Sequence, residues 1–155
     1  GVPVQRREMD LASEAAHAVH EIAVAHPQSV LQLETSGDLV GAWDPTRVGQ
    51  LLTNLIGNAV HHGAAGAPIT VSARGQAGAV ELYVHNCGAA IPSADLPELF
   101  SPFKRFRTGK TRVGSPTSLG LGLYIAERIA TAHGGTIAVT SSDDAGTAFT
   151  VRLPR

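Results

Sequence analysis

A single cysteine, Cys87, excludes an intrachain disulfide and a cysteine-built zinc site, and it fits a reducing compartment. Long hydrophobic runs are missing as well. No stretch approaches the ~20 apolar residues of a bilayer span, and residues 1–10 lack the apolar centre of a secretion signal. A soluble domain, cytoplasmic by default, is the expectation. Nor does one sign of charge dominate: 12 basic and 13 acidic residues leave a net charge of −1, which argues against a polycation built for nucleic acid. Aromatics are scarce, and beyond Phe103 and Phe106 none is interleaved with the basic residues, so bases have no stacking platform.

What is present suits one domain. A chain of 155 residues that is 43% apolar can bury a single core, removing roughly 70% of its unfolded surface from water. Residues 99–126 contain no acidic side chain, while Lys104, Arg105, Arg107, Lys110 and Arg112 lie among Gly, Ser, Thr and Pro. A purely basic loop suits an anion, and a merely solvated loop is the plainer competing reading.

Asp10 is a suitable N-cap for a helix whose Leu11, Ala15, Ala18, Val19 and Ile22 share a face and which Pro27 closes. Residues 29–35 and 39–43 flank the turn Ser36-Gly37-Asp38 and are expected to form a strand pair. Asp44-Pro45 opens a second helix of about 18 residues that Gly63 should end as a C′ glycine. Residues 69–74 and 79–85 form a hairpin pattern. About 33 residues then follow with little pattern and four prolines, holding at most a short turn near 95–100. A loop that long inside a domain is usually functional. A third helix begins near Leu121 and stops at Gly134-Gly135, and strands at 136–141 and 147–153 finish the chain. Hairpins outnumber crossovers, so the expected fold is α/β (α+β), a mixed, mainly antiparallel sheet with the three helices on one face.

On the second helix Asn54, Asn58, His61 and His62 share one stripe beside Leu51, Leu52, Leu55, Ile56 and Val60. An asparagine carbonyl is a hard oxygen ligand suited to Mg²⁺, and histidines can donate to phosphate or stack on a base. A solvent-facing stripe is the alternative. His85 to Pro92 leaves a strand through small residues, where Gly88 admits a flat ligand and Asn86 can pair with a base edge. Ser118-Leu119-Gly120-Leu121-Gly122-Leu123 leads glycines into a helix N-terminus, an anion site in principle. It lacks the preceding strand of a dinucleotide fingerprint and the Lys-Ser/Thr of a P-loop.

Taken in order, NLIGNAVHHG, HNCGAAIP, LFSPFKRF, SLGLGLYIAERIATAHGG and GTAFTVRLPR resemble the catalytic ATP-binding (Bergerat-fold) domain of bacterial sensor histidine kinases. The resemblance runs from 10 to 155, with 1–9 as an N-terminal linker or cloning remnant. It implies a two-layer sandwich with a long ATP lid, ATP and Mg²⁺ as ligands, and transfer of the γ-phosphate to a histidine. Asn54 and Asn58 match the asparagine box, Asn58 as the Mg²⁺ ligand. Asn54, Lys104 and Arg105 are then the catalytic candidates. For nucleotide contacts the resemblance implies His61, His62, Asn86, Gly88, Ile91, Phe100, Phe103, Gly120, Leu121, Gly122, Leu123 and, more distantly, Thr147. The implied partners are a dimerisation and histidine-phosphotransfer domain of the same full-length protein and, indirectly, a response regulator. The parent would be a homodimer, membrane-anchored in some architectures, and this fragment a monomer without nucleic acid.

Three positions depart from the family pattern. Asn86 stands where an aspartate accepts from the adenine amino group, and on charge alone a carboxylate there would bind ATP more tightly. Ser118 replaces a glycine at the lid hinge, and His61 replaces a lysine. His20-Glu21 resembles a phosphoacceptor pair, yet it lies 34 residues before Asn54 and lacks the following Arg-Thr/Asn-Pro, so it is an ordinary helix position. Related ATPases carry a glutamate where Asn54 stands, and an amide cannot serve as a base, which favours transfer over hydrolysis. The alternatives are a pseudokinase-like nucleotide-binding regulator and an anti-sigma-type serine kinase.

Overall fold

Two aspartates start two helices. Asp10 Oδ1 accepts from Ala12 N–H at 2.9 Å at the head of α1 (Leu11–Ala25), following strand β1 (Arg7–Asp10). After β2 (Val30–Ser36) and β3 (Val40–Trp43), Asp44 Oδ1 accepts from the N–H groups of Thr46 and Arg47 at 3.0 and 3.2 Å. That caps α2 (Pro45–His62), with proline at the position where a missing N–H costs nothing. The computed structural model describes residues 2–102 and 121–155.

Strands β4 (Pro68–Gly75) and β5 (Ala79–Asn86) form the expected hairpin, and a short 3-10 turn spans Leu96–Glu98. Helix α3 (Leu121–Ala132) precedes β6 (Thr136–Ser142) and β7 (Gly146–Pro154). The five-stranded sheet has the order β2-β4-β5-β7-β6, with β2 and β4 parallel and every other pair antiparallel. Its inner face presents Val71, Val80, Leu82, Phe149 and Val151 to Leu51, Leu52, Leu55, Ile56 and Ile129 of the helices, all essentially buried. Each such side chain contributes about 2 kcal/mol by leaving water. The fold is therefore the two-layer sandwich that the element pattern led one to expect.

The pairing of 29–35 with 39–43 is corrected. β2 pairs in parallel with β4, whereas β3 pairs antiparallel with β1 in a separate two-stranded ribbon. The crossover through α2 returns the chain to the end where β2 began, so β4 enters alongside β2 in the same direction. β3 is held away by its ends. Trp43, fully buried, donates from Nε1 to Pro154 O at 2.9 Å, and the Arg155 guanidinium donates to the carbonyls of Asp38 and Val40. Gly63 is also corrected: it follows α2 at φ −72, ψ 156, in extended rather than left-handed backbone. Glycine is needed there for space, since a Cβ would lie 2.7 Å from Ala59 O and 3.2 Å from Asn86 Cβ.

Helices α2 and α3 run antiparallel, and α3 is tied to α2 at both of its own ends. Asp44 N–H donates to His133 Nε2 at 3.1 Å, while His133 Nδ1 lies 2.9 Å from Ile129 O, an arrangement that makes the buried ring a neutral Nδ1–H tautomer. At the other end Asn54 Nδ2 donates to Gly122 O at 3.1 Å.

Candidate functional site

The second half of α2 carries the polar stripe, and its two asparagines are turned inward rather than to solvent. Asn54 is half-buried and bonded to α3, and Asn58 is only 5% exposed. The Asn58 side chain has no hydrogen-bond partner among the described residues. A buried amide without a partner costs about 1–3 kcal/mol, so its retention points to a ligand rather than to packing. Among the described residues no three His, Cys, Asp or Glu side chains are grouped to hold a metal. A divalent ion here would have to take an amide oxygen together with water and ligand oxygens, which is the donor set that Mg²⁺ prefers. Asn58 fits that role.

His62 is half-buried and His61 exposed, with ring centroids 5.9 Å apart in an edge contact. Beyond them the chain turns against the exit of β5. Ala64 N–H donates to Cys87 O at 2.8 Å, and Gly88 adopts φ +133 within a few ångströms of Ala64 N and His62 O. A side chain at Gly88 would be strained by that φ and would crowd the α2 exit. Asn86, at the end of β5, is 2% exposed and donates from Nδ2 to Cys87 O at 3.1 Å. Its Oδ1, an acceptor, has no hydrogen-bond partner among the described residues. Thr147 is 4% exposed and faces Asn86 across the β5–β7 ladder.

The structure thus brings Asn54 against Gly122, with Asn58 one turn further along α2, and gathers Asn86, Gly88, Ile91 and Thr147 around the exit of β5. The first turn of α3, with the positive end of the helix, begins on this side at Leu121. Two expected contacts point elsewhere. Leu123 is 4% exposed within the core, and Phe100 packs edge-on against Phe149 with centroids 6.1 Å apart, anchoring the 3-10 turn to the sheet. Phe103, Lys104, Arg105 and Gly120, and the expected lid over 103–118, lie outside the described residues.

Sequence reasoning passed over the β6–β7 turn. Ser141 Oγ accepts from Ile91 N–H at 2.9 Å and exchanges a hydrogen bond with Thr147 Oγ1 at 2.7 Å, and Asp143 Oδ1 accepts from Ala90 N–H at 2.9 Å. Serine and aspartate are ordinary turn residues, so nothing in their type separates this turn from any other.

Comparison with known proteins identifies the family and the fold. Residues 43–155 match the family described as "Histidine kinase-, DNA gyrase B-, and HSP90-like ATPase". The chain is 37% identical over 154 residues to a bacteriophytochrome of Pseudomonas aeruginosa, covering 99% of this chain and 21% of that protein. It is 36% identical over 155 residues to the probable sensor histidine kinase TcrY of Mycobacterium tuberculosis, covering 99% and 32%. The chain therefore spans about a fifth to a third of the length of these curated relatives. Among solved structures, the nucleotide-free catalytic domain of histidine kinase ThkA superposes with a TM-score of 0.80 at 27% identity, covering 97% of this chain and 95% of that one. The ATP-binding domain of PrrB from Mycobacterium tuberculosis superposes at 0.76 with 25% identity, covering 96% of each.

Proposed function

Since the chain belongs to the histidine kinase-, DNA gyrase B- and HSP90-like ATPase family, as a histidine kinase-type ATP-binding domain, we propose that it presents the γ-phosphate of Mg²⁺-ATP to a histidine on a separate dimerisation domain in two-component signalling. The observation that carries this reading is the buried Asn58 amide, unpartnered among the described residues, one helical turn before His62.

Asn58 would hold the Mg²⁺, which when bound neutralises phosphate charge. Asn86, Gly88, Ile91 and Thr147 would receive the base, and the first turn of α3 at Leu121 and Gly122 would face the phosphates. His61, His62, Phe103 and Gly120 are assigned supporting contacts, and Lys104 and Arg105 the stabilisation of the transferring phosphoryl group. Asn54 holds α2 against α3 and supplies no base, which suits transfer to a protein side chain more than hydrolysis. Transfer of this kind depends mainly on positioning and charge. We assign residues 10–155 to the catalytic domain and 1–9 to the linker entering it. The response regulator is reached indirectly. Among the described residues no helix is long and apolar enough to cross a membrane, and we assign the site to the cytoplasm.

The test supplies γ-labelled ATP to the chain with and without a dimerisation domain bearing a phosphoacceptor histidine. Label on that histidine, and none on His20 of the chain alone, is the expected result. Nucleotide binding without transfer to any cognate acceptor would favour the pseudokinase-like alternative instead.

A further inference from the structure

We propose that Ser141 and Asp143 are positioning residues for the nucleotide: the β6–β7 turn clamps residues 86–91 in the shape that receives the base. The proposal rests on the nucleotide-binding reading above. After β5 ends at Asn86 the chain is neither helix nor strand, so the N–H groups of Ala90 and Ile91 have no ladder partners. Asp143 and Ser141 supply them, each at 2.9 Å, from some 50 positions away in sequence.

The same end of the β6–β7 hairpin braces Ser141 and meets the exit of β5 at two further points. Ser141 Oγ reaches Thr147 Oγ1, the residue opposite Asn86 in the ladder. His85 Nε2 lies 2.5 Å from Ala145 O, a bond the ring makes as donor. Gly146, at φ +80, packs so closely beneath the segment that a Cβ would stand 2.2 Å from Asn86 O. On its other side the segment is fixed by Ala64 N–H on Cys87 O. Asn86, Gly88 and Ile91 are therefore held between two jaws. The α2 jaw is backbone, whereas the turn jaw includes two removable side chains.

Without Ser141 and Asp143 the segment would have to be ordered at the moment of binding, and that ordering entropy is subtracted from affinity. Asp143 is exposed and Ser141 half-buried, and neither belongs to the core, so global stability should be spared.

Three variants test the clamp: Asp143→Ala, Ser141→Ala and the pair together. The pair should weaken Mg²⁺-ATP binding about tenfold, the scale of two lost hydrogen bonds, with an unchanged melting temperature. Asp143→Asn keeps an oxygen acceptor and should retain nearly full affinity, which a charge effect would not give, while the unchanged melting temperature separates the clamp from a merely structural role. In the nucleotide-free protein, amide hydrogen exchange at Ala90 and Ile91 should accelerate in the alanine variants alone. Wild-type affinity in the double variant, or unaltered exchange at both amides, overturns the clamp. Failure of the wild-type chain to bind ATP overturns the nucleotide reading instead, and the exchange measurement still judges the clamp.

Discussion

Asn54 Nδ2 donates to the carbonyl oxygen of Gly122 at 3.1 Å, joining the middle of α2 to the first turn of α3 across 68 positions of sequence. One bond thereby fixes the separation between the face that carries Asn58 and the helix end assigned to the phosphates. Asn54→Ala should lower stability by about 1 kcal/mol, the usual net worth of one such bond. Its larger effect should fall on transfer, which depends on alignment, and less on ATP affinity. Single-turnover rates set beside equilibrium affinities check this; a variant that loses affinity and rate in equal proportion would assign Asn54 to binding.

Asn58→Ala separates a ligand from a structural residue. Because the buried amide has no partner among the described residues, its removal should leave stability unchanged or raise it by up to about 1 kcal/mol. Thermal or urea unfolding measures this directly. A loss of about 2 kcal/mol or more would show that the amide supports the fold.

Asn86→Asp should weaken ATP binding, the reverse of what charge alone suggests. The wild-type Nδ2 donates to Cys87 O at 3.1 Å, and a carboxylate would set oxygen against oxygen there. At 2% exposure it would also have to be desolvated. A reduction of roughly three- to tenfold is expected from calorimetric titration, in line with one lost hydrogen bond. Tighter binding would show that the segment rearranges to accept the charge.

Local chemistry made the helices and the β4–β5 hairpin legible. Asp44-Pro45 has one good use in a chain, and alternating runs on either side of 75–78 have one natural pairing. Partnership over distance was not legible. Nothing in residues 7–10 marks a strand, because β1 exists only through its ladder with β3. For the site, periodicity placed Asn54 and Asn58 on one stripe but could not say whether that stripe faced water or α3; packing decides that. The residue types of Ser141, at the end of β6, and Asp143, in the turn after it, mark no site, and their use as acceptors for Ile91 and Ala90 depends on the sheet order that brings β6 and β7 beside β5.

Asp44 predicts an acid limb to the stability curve. Burial raises its carboxyl pKa, but hydrogen bonds from the N–H groups of Gln5, Arg47 and Thr46 outweigh that and hold it below the ordinary value of 3.8. A carboxyl depressed in the folded state contributes its stability in full above the unfolded pKa and loses it as pH falls through the folded one. Asp44→Ala should therefore cost about 1–2 kcal/mol at neutral pH, as for a lost N-cap, with the difference from wild type shrinking below about pH 4. Urea midpoints measured across pH 2–7 decide it, and parallel curves would remove Asp44 from the titration.

The account stands most directly on calorimetric titration of the chain and of Asn58→Ala with ATP, each in the presence of Mg²⁺ and of a chelator. The natural chain should bind ATP with an affinity that Mg²⁺ strengthens, and Asn58→Ala should bind with an affinity indifferent to Mg²⁺. No binding by the natural chain, or an equal Mg²⁺ dependence in both proteins, would contradict the assignment of the Asn58 face as the nucleotide and metal site.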